Sequence, residues 1–233
     1  MSKNNATNWL ESRFAKTQGA NTQNQGLLQG LADNAKNQIA NAQTQRVFKK
    51  MIWRVGKLLW QASEIKNGHP VTLPHWKKTS RRTSSEELLS MNCWEAVLYM
   101  AYQCDIMTVG KIQNFENSVG GQDQKIRSLF GDAAAYNGHN ANIGDILSFE
   151  NQAKGEIDHI AIYAGNLNGF DYLIHNLAWN AHVTGILMGG CIHFETVQNT
   201  IDLYQGENTT ANVFVTQPFW EAGSPTFNYF SQL

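Results

Sequence analysis

Chemistry in this chain points first to Cys93, within Ser90-Met-Asn-Cys-Trp-Glu-Ala-Val-Leu-Tyr-Met-Ala-Tyr102. Asn92 is a favoured N-cap type and Glu95 stands three residues further on, the spacing of a capping box that would start a helix at Cys93. There the unsatisfied N–H groups and the helix dipole favour thiolate over thiol, and the thiolate is the form that attacks a carbonyl carbon. Val97, Leu98 and Ala101 continue an apolar face that would anchor the helix. Ser84-Ser-Glu-Glu87 has the same spacing and offers a competing start that leaves Cys93 in mid-helix; the two coexist if a short helix ends near Ser90. A lone cysteine can equally be a small buried hydrophobe, the reading that suits Cys104. At the standard helical rise Cys104 lies about 16 Å from Cys93, too far for a disulfide or a shared metal.

His159 belongs to Ile157-Asp-His-Ile-Ala-Ile-Tyr-Ala-Gly165, downstream of Gly144-Asp-Ile-Leu-Ser-Phe149. In a strand it shares a face with Ala161 and Tyr163, opposite Asp158, Ile160 and Ile162. It becomes a candidate base only if another element brings a nucleophile to it. Cys191 and His193 share a strand face with His182 nearby, but two ligands at strand spacing without a CxxC pair carry little weight as a metal site. No metal and no cofactor are expected. His69 and His139 lie in turn-like sequence and are expected to be solvated.

These residues need elements to position them, and the patterning supplies three regions. Residues 1–48 are rich in Asn, Gln, Ala, Thr and Ser, with sparse apolar positions at Leu27, Leu28, Leu31 and Ile39. They are expected to form a peripheral helical or partly disordered segment that buries little. Residues 49–85 hold most of an amphipathic helix read over Val47 to Ile65, then a basic connector broken by Gly68-His-Pro70 and Pro74. That helix carries Trp53 and Trp60 and would suit a membrane surface, although packing on the chain's own core is the commoner fate. Residues 86–233 read as a helix followed mainly by strands at Asp145 to Phe149, Ile157 to Ala164, Tyr172 to Leu177, Gly190 to Thr196 and Ala211 to Gln217. The class expected is α+β.

With 18 Lys and Arg against 19 Asp and Glu, the net charge of -1 argues against a nucleic acid or other polyanion held by charge alone. The basic runs Lys49, Lys50, Arg54, Lys57 and Lys77, Lys78, Arg81, Arg82 are read as solvated faces. Three cysteines, an odd number, do not make the disulfide framework of a small secreted domain. No stretch reaches the roughly 18 apolar residues of a membrane span, and the first ten residues lack the apolar run of a signal peptide. The expectation is synthesis in the cytoplasm without a signal peptide.

The order Asn-Cys-Trp-Glu-Ala-Val-Leu-Tyr, Gly-Asp-Ile-Leu-Ser-Phe, Asp-His-Ile-Ala-Ile-Tyr-Ala-Gly and Tyr-Leu-Ile-His-Asn resembles the NlpC/P60 family of papain-like cysteine peptidases. It covers roughly residues 86 to 180. The resemblance implies a papain-like core, a catalytic helix packed on an antiparallel sheet, preceded by an N-terminal helical extension. Cys93 would be the nucleophile, His159 the base and His175 the residue that orients it. Asn176 is a rival for the third role and points to the other face of a regular strand. The family usually has Asp-Cys-Ser-Gly where this chain has Asn92-Cys93-Trp94-Glu95, which implies a bulkier substrate pocket at Trp94. His75 and Trp76 are candidates to line the cleft, or simply connector residues. The backbone N–H of Cys93 would meet the oxyanion.

The activity implied is amide hydrolysis through a thioester, on a peptidoglycan peptide or another amide substrate. A wall hydrolase without a signal peptide suggests an antibacterial effector, sent by a specialised secretion apparatus to a target-cell periplasm and countered at home by an immunity protein. The alternatives are a cysteine deamidase, protease or acyltransferase acting on a target-cell protein or lipid, and a non-catalytic papain-like binding module. The presence of Cys93, His159 and His175 together counts against the last.

Overall fold

The structure is a computed structural model that describes residues 21–55, 58–67, 69–76, 89–131, 133–177, 191–205 and 211–233. Two helices come first, α1 (Asn21–Gln38) and α2 (Ala42–Trp53). Short strands β1 (Leu59–Trp60), β2 (Ile65–Lys66) and β3 (His69–Pro70) lead to a helical turn at 72–76 and then to β4 (Ser90–Met91). Three helices follow, α3 (Cys93–Gln103), α4 (Val109–Asn117) and α5 (Gln122–Phe130). The remainder is β5 (Ala134–Ala135), β6 (Ile146–Asn151), β7 (Glu156–Leu167), β8 (Phe170–Asn176), β9 (Ile192–Thr196), α6 (Val197–Gln205), β10 (Ala211–Thr216) and α7 (Phe227–Gln232).

The α+β class is as expected, and its centre is a six-stranded antiparallel sheet in the order β5-β10-β6-β7-β8-β9. Alternation along β7 sorts its side chains. Ile160 and Ile162 join Ile146, Ile174 and Ile192 in a core shared with the helices, whereas Ala161 and Tyr163 join Leu147, Phe149 and Leu173 beneath α6. Burial on both faces explains why Ile157 to Ala164 reads as a nearly continuous apolar run. α3 packs across β7 and β8 on the helical side, with Ala96, Val97, Leu98, Met100 and Ala101 all buried.

The N-terminal segment departs from expectation. Leu31, Ala35 and Ile39 are buried in the main core and α1 packs against β7, so sparse apolar residues at helical spacing are enough to cover the sheet. The amphipathic helix is also shorter than its pattern. It is capped by Asn41, buries Val47, Phe48 and Met51, and ends at Trp53. Beyond it Leu58 is buried and β1 pairs in parallel with β4, because that pairing satisfies the backbone leading into α3. Helices α4 and α5 have no counterpart in the sequence reading. Thr108 caps α4, and Ile112, Phe115, Ile126 and Leu129 bury its inner face and that of α5. The rival helix start at Ser84 and the histidine His182 lie outside the described residues.

Gly144 shows why a Gly-Asp pair opens β6. Its φ of 102° is left-handed, and a Cβ there would collide with the side chain of Thr44 on α2. Asp145 then closes the turn by accepting the Asn142 N–H at 2.8 Å.

Candidate active site

The capping box forms as its spacing required. The Asn92 side chain accepts the Glu95 N–H at 2.9 Å, and the Glu95 carboxylate accepts the Asn92 N–H at 3.1 Å. Asn92 also donates to Ser63 Oγ at 2.6 Å, and Asn176 Nδ2 donates to the Met91 carbonyl at 2.6 Å. Four polar contacts therefore hold the start of α3, and Cys93 is its first residue.

A β-bulge shapes the other half. Phe149 pairs with His159 but Glu150 pairs with Ile157, so Asp158 is an extra residue immediately before His159. Ladder pairing between β7 and β8 ends at Ile162 and Ile174. Beyond that point the His159 and His175 rings bridge the strands, with Nε2 of His159 2.9 Å from Nδ1 of His175. His175 stands directly opposite His193 on β9, and their Nε2 atoms are 3.0 Å apart. His193 Nδ1 lies 2.9 Å from the Cys191 carbonyl oxygen. Three buried imidazoles thus run in series to a backbone acceptor. His193 went unselected in the sequence because its one signal, alternation with Cys191, suggested a weak metal pair rather than a cross-strand partner for His175.

The cysteine and the histidines approach the sheet from different sides. Cys93 belongs to the helical core, while His159 stacks near Phe149 and Tyr204 on the opposite face. No hydrogen bond joins Cys93 to His159. They meet at a cleft of about 610 Å³ whose lining includes Cys93, Trp94, His159, Leu177 and Tyr204, with Asp123, Glu156 and Asp158 also on its wall. The backbone N–H groups of Ile160, one residue past His159, of Trp94 and of Cys93 itself favour the Cys93 thiolate.

Electrostatics reverse one sequence expectation. Burial pushes the Cys93 thiol up to about 11, and the three N–H groups, which favour thiolate, only partly offset it; the Glu95 charge pushes the same way as burial. Burial likewise pushes His159 down to about 3, helped by its neighbour His193, and holds His175 well below the ordinary histidine range. His193 is also lowered by burial, against the opposing pull of the Cys191 carbonyl and Glu195. The resting pair is a neutral thiol and a neutral imidazole. Near pH 7 such a thiol is ionised about 10²–10³-fold less than an ordinary cysteine. Iodoacetamide should therefore label Cys93 slowly at pH 7 and faster as pH rises toward 11, as peptide mapping across pH would show. Rapid labelling at pH 7 would mean that the cleft hydrates the sulfur in solution.

Of the other residues singled out in the sequence, Trp94 lines the cleft beside Cys93, and its buried indole N–H has no acceptor among the described residues. Asn176 is buried on the α3 side, as strand alternation required, and braces the helix start. His75 and Trp76 do not line this cleft. His75 is buried 3.8 Å from the Glu64 carboxylate, and Trp76 packs edge-on against Tyr99 with centroids 5.2 Å apart, because the turn at 72–76 sits over later turns of α3. His139 is exposed as expected, whereas the exposed His69 meets Lys125 Nζ at 3.0 Å. The three cysteines are free thiols. No group of three or more His, Cys, Asp or Glu among the described residues is arranged to hold a metal ion. None of the helices described is long and apolar enough to cross a membrane. No protein-family model, no curated protein and no solved structure matches this chain.

Proposed function

We propose that the protein is a cysteine hydrolase of the papain-like, NlpC/P60-like kind that cleaves an amide bond through a thioester. The observation that carries the reading is a cleft lined by both a helix-start cysteine and His159, the first ring of a buried histidine series. Cys93 Sγ attacks the substrate carbonyl carbon while its proton passes to His159. The tetrahedral oxyanion is met by the Cys93 N–H. Collapse breaks the C–N bond, and His159 returns the proton to the leaving amine. Water then attacks the thioester, His159 takes a proton from it, and the released thiolate recovers that proton. Since the resting pair is neutral, proton transfer accompanies attack rather than preceding it.

A peptidoglycan peptide is the substrate that the resemblance favours. Such a substrate lies outside the cytoplasmic membrane, so this reading includes delivery to a target-cell periplasm by a secretion apparatus, and an immunity protein in the producing cell. Purified protein incubated with isolated sacculi should release muropeptides, and Cys93→Ala should release none. In cells, an export signal fused to the wild-type chain should cause lysis, with the cytoplasmic form and the exported Cys93→Ala form harmless. Toxicity confined to the cytoplasmic form would replace the wall substrate with an intracellular one. Equal toxicity of Cys93→Ala would remove the hydrolase reading and point to residues 47–65 acting on membrane, although Met51 of that segment is fully buried.

A further inference from the structure

We infer that His193 is a positioning residue that sets which nitrogen of His159 is free to accept a proton, an inference that rests on the hydrolase reading of the same cleft. The Cys191 carbonyl oxygen can only accept a hydrogen bond. The nitrogen 2.9 Å from it, His193 Nδ1, must carry the proton. A neutral imidazole has one N–H, so His193 Nε2 is bare and accepts from His175 Nε2 at 3.0 Å. His175 Nδ1 is then bare in turn and accepts from His159 Nε2 at 2.9 Å. His159 Nδ1 is left without a proton. The three rings are at most 4% exposed, and burial keeps each neutral, so the chain has one consistent set of tautomers.

That outcome suits the chemistry. Nδ1 is the ring nitrogen nearer to its own backbone, His159 and Ile160 line the same cleft as Cys93, and the Ile160 N–H is one of those that favour the Cys93 thiolate. A base presenting Nε2 instead would direct its lone pair into the histidine series. When His159 becomes charged, its Nε2–H still donates to His175. The arrangement does not suit a metal, whose ligand atoms must converge on one point. Both nitrogens of His175 are instead engaged with neighbouring rings.

The test uses the full chain labelled with ¹⁵N-histidine. In the wild type, NMR should show His159 Nδ1 as an unprotonated nitrogen and Nε2 as an N–H across neutral pH. The reverse pattern would overturn the inference without any variant. His193→Phe removes the acceptor for His175 and should give His159 mixed tautomers, with turnover reduced roughly 10²-fold and KM little changed. His193→Gln offers a carbonyl oxygen to the same N–H and should restore most of both. An unchanged His159 tautomer in His193→Phe overturns the proposal. A shifted tautomer in a protein whose wild type hydrolyses no amide would support the histidine coupling and refute the hydrolase reading.

Discussion

Cys93→Ala should abolish turnover, and His159→Ala should lower it by about 10²–10⁴-fold while the fold persists. On the proposed mechanism Cys93 is the nucleophile and His159 its base, and proton transfer at the sulfur has no substitute once that imidazole is gone. His175→Ala should cost less, because water can accept the His159 N–H that it vacates. Asn176 cannot take over that role, since its amide is directed to the Met91 carbonyl on the other face of the sheet. Single-turnover kinetics on the released amide, with thermal melts of each variant, give the ordering. Near-normal activity in His159→Ala would sink the assignment. The pH profile offers a second check. The base works only when unprotonated, and burial holds His159 down at about 3, so activity should persist as pH falls from 7 to 5 and be lost only as pH approaches that value. An acid limb near the ordinary histidine value of about 6.5 would show that the cleft fills with water in solution.

How legible this site was depended on whether a contact is local. The helix start was readable because a capping box closes within three residues, and Asn92 and Glu95 are both present. The strands around His159 and His175 were readable because alternation and Asn/Gly turns are local too. The histidine series was not, since the pairing of His175 with His193 depends on cross-strand register and on 17 intervening residues whose course no local rule sets. The bulge at Asp158 was hidden for the same reason. His75 and Trp76 were placed near the cleft by their position before α3, but sequence proximity to a helix does not say which end of it they cover. The thiolate expectation failed on magnitude. Helix-terminal N–H groups act as the sequence implied, and burial, which is a tertiary property, outweighs them.

Glu95 shows the same conflict as a stability effect. Burial, reinforced by the Glu116 charge, pushes its carboxyl up to about 7, while the hydrogen bonds from Asn92 and Ser63 resist. The folded state therefore holds the Glu95 proton more tightly than the unfolded chain does. The resulting stabilisation is full below the unfolded value, about 4.5, and is lost as pH rises through about 7. That gap corresponds to about 3 kcal/mol. Glu95→Gln keeps an oxygen that can accept the Asn92 N–H, as a capping box allows, and carries no charge. It should match the wild type near pH 4 and exceed it by about 3 kcal/mol at pH 8 in urea unfolding. A variant no more stable than wild type at pH 8 would show that the carboxylate is better solvated than its burial implies. Glu95→Ala separates charge from cap, because it removes both and should weaken the helix start at either pH. The substitution also reaches Cys93. The Glu95 charge raises the Cys93 thiol, so Glu95→Gln should lower the pH at which iodoacetamide labels Cys93, and any rate change between pH 6 and 8 that disappears in this variant is assigned to Glu95 rather than to His159.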